Sequence, residues 1–536
     1  MTRVLRLAYT IIFIVPFLHV EANDNPGVCE KSIDVAIVGA GIGGANSAYM
    51  LRDAGLSIQV FEYSNRIGGR LYTSSLLEAP DVNLELGGMR FVGGVHKRMQ
   101  KIVKELGLTQ TVFPEGFGLR NRTTYFLRDE SLNITQLLTG DLPYNLTAEE
   151  DANRHRLLIF YVEKLTGLKK GNSPLPRNQI MQLRAPDGRY LFTLSLEEAL
   201  DLVASEEGKA FCLAKYFVFE KYAASNISAA MMIDSVLGAQ TFGAGVYTVK
   251  EGMSAVPQGL IKAFLAANNS HSLELNRQLL SIHRTSDQAM YILTFNRTQT
   301  DEDGFTKATD EQHVVCAKRV ILALPHHALS RIQWRPLREV RVRNALYALM
   351  CRTASKVFMT FSNQWWLSGT NPSYYAYSDT SFLTAIDWKR SATTGNYILL
   401  TSYSTGNNTE FFHRLQSHGD QGKGNGTIKA SASLTNEVLE ELSHAFGLAR
   451  TDIPEPLSSW VQFWDAYPFG CAWRSYRPGF RFDEVTGILR RPSVSDDVFV
   501  VGSDFSWGEL LHWSEGALET SEIVVNTYFT QMFPRM

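Results

Sequence analysis

The stretch VAIVGAGIGGANSAYMLRDAG, Val35 to Gly55, runs an apolar strand into a glycine turn and then into a helix of small residues. Gly39, Gly41 and Gly44 make the pattern G-x-G-x-x-G, with Gly43 inside it. The first glycine permits a tight turn, the second lets a pyrophosphate approach the backbone, and the third lets helix pack on strand. The helix begins with free N–H groups, which favour a phosphate. Val35 to Val38 reads as a buried strand, and Ala45, Ala48 and Leu51 suit a helix laid on a sheet. A second apolar strand, Ile58 to Phe61, ends in Glu62, placed where an acid bonds a ribose hydroxyl. The fold class is therefore α/β, with a Rossmann-like dinucleotide-binding unit near the start of the chain.

The residues that follow narrow the dinucleotide. Tyr63 leads through Ser64-Asn65-Arg66-Ile67 to Gly68-Gly69-Arg70. A second glycine pair and an arginine suit a long cofactor lying across the sheet, with Arg70 offered to its phosphates. G-x-G-x-x-G, a strand-end Glu and G-G-R in this order resemble the FAD-containing amine oxidase family. The likeness continues through LELGGMRF (Leu84–Phe91), EGMSAVPQGL (Glu251–Leu260), SKVFMTF (Ser355–Phe361), DDVFVVGSD (Asp496–Asp504) and HWSEGALET (His512–Thr520). FEYSNRIGGRL, NLELGGMRF, EGFG, GDLPYNL and KLTG resemble in particular the secreted L-amino-acid oxidases of molluscs.

That resemblance implies FAD as cofactor and a discontinuous architecture. Segments 30–80, 246–330 and 485–536 would form the FAD-binding domain, and 81–120 with 331–484 a mixed-sheet substrate domain. Residues 121–245 would form a helical domain. The chain's own pattern agrees in outline. Leu194 to Phe242 is rich in Ala, Leu and Glu at helical spacing, and Tyr291–Phe295 and Val314–Leu324 read as strands. The polar stretch Gln299–Gln312 reads as a hairpin tip, and His418–Thr427 as a loop.

Residue roles follow from the same likeness. Arg90 would clamp a substrate carboxylate, because a planar guanidinium makes two parallel bonds to it; a structural ion pair or a phosphate contact is the plainer alternative. Gly88 stands where the family usually has proline. Gly87, Gly88 and Met89 would lay backbone on the cofactor. Lys356 would hold a water beside the flavin, against the alternative of a surface lysine. Tyr403 would give the carboxylate a second bond, or be a core tyrosine. Gly502 and Asp504 would reach the ribityl or phosphate region. The helix start at Ser514, Glu515, Gly516 and Ala517 would face the flavin edge, where its dipole favours negative charge. The main chain of His512 would receive the substrate amine, Trp513 would wall the pocket, and Leu279 would touch the adenine. Tyr467, Phe469, Ala472 and Trp473 would form an aromatic lid; for Phe469, ordinary core is the better reading.

Composition bounds the rest. The chain has 536 residues, enough for two or three domains, and a net charge of −2 that gives no reason to expect nucleic acid. Arg3 and Arg6 precede an apolar run from Leu7 to Val20, too short to span a membrane and read as a secretory signal over residues 1–22. No later segment reads as a membrane anchor. Asn121, Asn133, Asn145, Asn226, Asn268, Asn296, Asn407 and Asn425 each open a glycosylation triplet. Five cysteines form no metal-type cluster. Cys29 and Cys316 each precede a strand, so if those strands are parallel both sulfurs sit at one sheet edge and can pair. The resulting expectation is a secreted FAD oxidase that turns L-amino acids, basic ones by resemblance, into 2-oxo acids, ammonia and hydrogen peroxide, with dioxygen as oxidant and an antibacterial role. An amine or polyamine oxidase on the same scaffold, or a secreted glycoprotein with a vestigial flavin site, are the alternatives. Nicotinamide-dependent chemistry is disfavoured by Gly68-Gly69-Arg70.

Overall fold

Val35 to Val38 are buried on both faces, as a strand covered by helices on both sides requires. In the computed structural model, which describes residues 29–113, 122–168, 175, 177–216, 221–231, 233, 245–302, 304–368, 372–417, 427–507 and 513–529, Lys31–Val38 lies between two parallel neighbours. Val38 is level with Phe61 on one side and with Leu322 on the other. The expected signal segment lies outside the described residues, as do Asn121, Asn425 and His512.

Among the described residues seven strands form this sheet, in the order Ser272–Glu274, Ile58–Phe61, Lys31–Val38, Thr306–Leu322, Tyr291–Thr300, Arg277–Arg284, with Val498–Val500 also on Thr306–Leu322. The long strand Thr306–Leu322 changes neighbour along one edge. Its first part pairs antiparallel with Tyr291–Thr300, and its last residues pair parallel with Val498–Val500. The polar stretch expected as a hairpin tip is therefore mostly ladder, running to the pair Thr300–Thr306. Its threonines are β-branched and suit a solvated ribbon. Strands between residues 31 and 61, between 272 and 322 and at 498–500 thus meet in one sheet.

Cys29 and Cys316 are joined by a disulfide. Cys316 does not precede its strand but lies inside Thr306–Leu322, level with Ser32 on one side and Ile292 on the other. Cys29, three residues before Ser32, comes to a Cα–Cα distance of 5.6 Å from Cys316. The bond closes a separation of 287 residues, and by loop entropy it stabilises the fold by about 5 kcal/mol.

A second sheet of eight described strands has the order Thr427–Lys429, Ser458–Phe463, Ala354–Phe361, Tyr397–Thr405, Thr384–Arg390, Tyr375–Ser378, Thr123–Leu127, Glu130–Asn133. The last two strands come from a stretch expected to be helical; TTYFL is rich in β-branched and aromatic residues, which favour a strand, and pairs parallel to Tyr375–Ser378. One face of the sheet is covered by the helix Ala432–Phe446, which starts at the Ser431 cap and ends at left-handed Gly447. Val357, Met359 and Phe361 pack with Leu434, Val438 and Leu442 on that side. Each such side chain contributes about 1.5–3 kcal/mol when fully buried. Because side chains alternate along a strand, Lys356 and Phe358 point the other way, toward Leu84 and Leu86.

Short helices with reciprocal caps at Thr147/Glu150 and Ser195/Glu198 and the helices Leu157–Thr166 and Glu206–Tyr216 make a third group. No helix among the described residues is long and apolar enough to cross a membrane.

Candidate active site

The glycine turn opens the site. Gly39 has φ +108°, and a Cβ there would meet Ala323 O at 2.4 Å. A Cβ on Gly44 would lie 1.9 Å from Gly39 O. Both glycines are fixed by close packing. Gly41 differs: φ is −69°, and nothing lies within 3.8 Å of its virtual Cβ, the nearest atom being Gly69 Cα at 3.9 Å. The second glycine pair sits against the first, with Gly68 N–H donating to Ala40 O at 3.0 Å. Glu62 braces the turn, its Oε2 accepting from Ala40 N–H at 2.8 Å and its Oε1 from Ser64 N–H at 3.0 Å.

From this turn a cavity of about 640 Å3 runs between the two sheets. It is lined by Gly39, Gly41, Gly43, Glu62, Tyr63, Arg70, Gly87, Gly88, Met89, Arg90, Leu279, Lys356, Tyr403, Gly502, Trp513, Ser514 and Ala517, all of them expected site residues. Tyr467, Phe469, Ala472 and Trp473 line it as well. Phe469, read as core, does both: it is buried and packs edge-on against Trp464.

Gly44, Asp504, Glu515 and Gly516 stand behind the wall. Asp504 Oδ1 lies 2.7 Å from Arg70 Nη1, and its Oδ2 accepts from His326 N–H at 3.0 Å. Arg70 is thereby committed: its Nη1 also donates to Ala472 O at 2.9 Å and its Nη2 to Ser503 Oγ at 3.0 Å. It presents to the cavity an edge whose direction Asp504 sets. Glu515 turns to the helix Lys97–Glu105, where Met99 N–H donates to Oε2 at 3.0 Å and Arg98 N–H to Oε1 at 3.1 Å. Those are orphan N–H groups of a helix start, and a carboxylate satisfies them well.

At one end of the cavity, Tyr63 packs edge-on against Tyr467, and Gln278 Nε2 donates to the Tyr467 hydroxyl at 2.7 Å. At the other end Lys356 Nζ donates to Glu85 O at 2.8 Å and Gly87 O at 2.5 Å. Burial pushes this amine down to about 7; Arg90 acts in the same direction and Glu85 against it. Glu85 is in turn pushed up to about 7 by burial, although Met253 N–H and the Thr73 hydroxyl donate to it. Arg90 lies within reach of two rings, its guanidinium carbon 5.8 Å from the Trp513 centroid and 6.0 Å from that of Phe113. Among the described residues it has no hydrogen bond and no ion pair. Trp464, which the sequence reading did not single out, donates Nε1–H to Leu86 O at 2.8 Å and walls the same end. Gln278 and Tyr216 are further lining residues without a motif of their own, and Ser503 lines the cavity from within DDVFVVGSD.

The residues fit a flavin dinucleotide. An unblocked glycine at a helix start, an acid at the end of the second strand, and a long cavity crossing to a buried lysine are the features such a cofactor needs.

The comparisons agree with this geometry. A family profile described as flavin containing amine oxidoreductase matches residues 43–525. Aplysianin-A of Aplysia kurodai is 46% identical over 508 residues, 94% of this chain and 91% of the relative. Achacin of Lissachatina fulica is 42% identical over 505 residues, 94% of each chain. An L-amino-acid oxidase of Mus musculus is 26% identical over 346 residues, 63% of this chain and 48% of the relative. Among solved structures, a putrescine oxidase variant superposes with TM-score 0.69 at 20% identity, covering 94% of this chain and 99% of the other; at that identity the likeness bears on the fold alone. The chain belongs to the flavin-containing amine oxidoreductase family, as an FAD-dependent oxidoreductase.

Proposed function

We propose that this chain is a secreted L-amino-acid oxidase, releasing a 2-oxo acid, ammonia and hydrogen peroxide, with basic L-amino acids as substrates and antibacterial defence as its use. The observation that carries the reading is Arg90. A cation facing the cavity at the lysine end, without a protein counter-ion among the described residues, suits a substrate carboxylate. FAD supplies the two-electron oxidation of the Cα–N bond and the reduction of dioxygen. The protein supplies position and electrostatics. Arg90 binds the carboxylate and Tyr403 adds a bond from its hydroxyl. Trp464, Trp473 and Trp513 wall the space and keep water out. Lys356, which burial lowers to about 7 and so leaves half protonated at pH 7, holds a water with its free valence while its other bonds go to Glu85 O and Gly87 O. The amine is held unprotonated by the same positive surroundings, since a second cation beside Arg90 is unfavourable. The leader read over residues 1–22 and the glycosylation triplets support export.

The basic preference rests on the likeness to mollusc oxidases. Glu62 is the one carboxylate among the described lining residues, and it belongs to the dinucleotide end. Peroxide release measured across the twenty L-amino acids, their D-forms and the matching amines tests the whole reading. Turnover of L-lysine or L-arginine with no turnover of D-forms is expected. Equal rates on an amino acid and its decarboxylated amine would overturn the carboxylate clamp.

A further inference from the structure

We propose that Cys351 and Cys471 form a second covalent cross-link, a dithiol that hydrogen peroxide closes to a disulfide in the wall of the cavity. The two residues belong to a ribbon outside both large sheets, in which Leu349–Arg352 pairs antiparallel with Trp473–Tyr476. Just before that ladder the residues leading into Trp473–Tyr476 fold back over Leu349–Arg352. Ala472 N–H donates to Arg352 O at 2.8 Å, and the Cys351 thiol lies 2.8 Å from Gly470 O. These contacts hold the backbone on either side of Cys471 against the backbone of Cys351. The neighbouring Cys471 thiol and the Arg474 charge hold Cys351 below the ordinary thiol range, against the effect of burial.

The two sulfurs are unequal, as a stepwise oxidation requires. Cys471 is fully buried and its thiol is pushed up. Cys351 is partly exposed and is the better nucleophile. The Cys351 thiolate attacks one peroxide oxygen, the O–O bond breaks, and water leaves, giving a sulfenic acid. The Cys471 sulfur then displaces the second oxygen as water. Two thiols and one hydrogen peroxide become one disulfide and two waters. Phe469 and Ala472 line the cavity, and Ala472 O accepts from Arg70, so the bond ties the cavity wall beside its phosphate-facing arginine. The proposed oxidase reaction would supply the peroxide; in the experiment it is added, so the outcome does not depend on that reading.

Holoenzyme, with Cys29–Cys316 intact, is denatured and alkylated before and after exposure to hydrogen peroxide, and its peptides are weighed. The expected result is a peptide pair joining Cys351 to Cys471, lighter by two hydrogens, either as purified or after peroxide. Cys212, buried with a raised thiol, remains alkylated throughout and serves as the internal control. In Cys351→Ser, Cys471 should stay alkylatable under the same treatment. Full alkylation of both cysteines after peroxide, or oxidation of Cys351 to sulfinic or sulfonic acid without joining, would overturn the proposal.

Discussion

Lys356 and Tyr403 stand opposite each other across adjacent antiparallel strands, with the lysine nitrogen 5.0 Å from the ring centroid. The pairing places the lysine amine and the tyrosine ring side by side in the wall of the cavity. It also explains why the lysine stays: the ring and two carbonyl oxygens receive an ammonium that burial disfavours.

A pH prediction follows from that compromise. Lys356 is lowered to about 7 by burial first, then by Arg90, with Glu85 opposing. The amine is charged below this value and neutral above it. We expect the oxygen-dependent half-reaction to show an ionisation near pH 7 that disappears in Lys356→Met. Glu85→Gln removes the group that favours the charged form, so the ionisation should move to lower pH. Stopped-flow reoxidation against pH checks both; an unmoved profile in Glu85→Gln would exclude coupling between the two side chains.

Replacing Arg90 by Ala should act on the carboxylate and little on the fold. Its guanidinium makes no hydrogen bond or ion pair among the described residues. A charge-assisted bond is worth about 1.5–3 kcal/mol, so losing even one lowers kcat/KM roughly 10- to 150-fold. The loss should fall on the amino acid far more than on its decarboxylated amine, and the melting temperature should stay near that of the parent.

The glycines separate folding from cofactor retention. Gly44→Ala puts a methyl 1.9 Å from Gly39 O, which the strand–helix unit has no room to absorb, and soluble protein should fall sharply. Gly41→Ala meets no atom closer than 3.9 Å and keeps an ordinary φ. Its methyl occupies the approach of the phosphates instead. Folded protein with a reduced flavin absorbance is expected, read from the ratio of visible to ultraviolet absorption.

The first glycine turn, the strand end at Glu62 and the strands read at Tyr291–Phe295 and Val314–Leu324 were legible because local rules act on contiguous residues. A Cβ on Gly44 would meet Gly39 O, backbone that its own motif supplies, and the pairing of Cys29 with Cys316 follows from a parallel register; Gly39 is instead held by Ala323 O, just past the end of Thr306–Leu322. Asp504 and Glu515 were not legible in the same way. Each belongs to a motif that reaches the cavity, yet each carboxylate is drawn to a cation or helix start far away in sequence, Arg70 and Lys97–Glu105 respectively. Trp464 carries no motif at all; its place comes from a strand end and one bond to Leu86 O. Thr123–Leu127 likewise became a strand because Tyr375–Ser378 offers it a free edge, a tertiary fact that no local pattern contains.

Asp504 should therefore behave as a structural anchor with a pH signature. Burial alone would raise its carboxyl; Arg70 and Arg474 outweigh that and hold it below the usual carboxylate range. Because the folded value is depressed, its contribution is present above the unfolded value near ~3.9 and is lost as pH falls through the folded one. Asp504→Asn keeps the shape but leaves the Arg70 and Arg474 charges uncompensated in a buried place, a cost of about 3–5 kcal/mol. Thermal melts of parent and variant should differ by several degrees at neutral pH. The difference should narrow below pH ~4, as the parent carboxylate takes up its proton. A gap that stays constant down to acid pH would mean that Asp504 acts through its shape and its bond to His326 N–H, and that its charge contributes nothing.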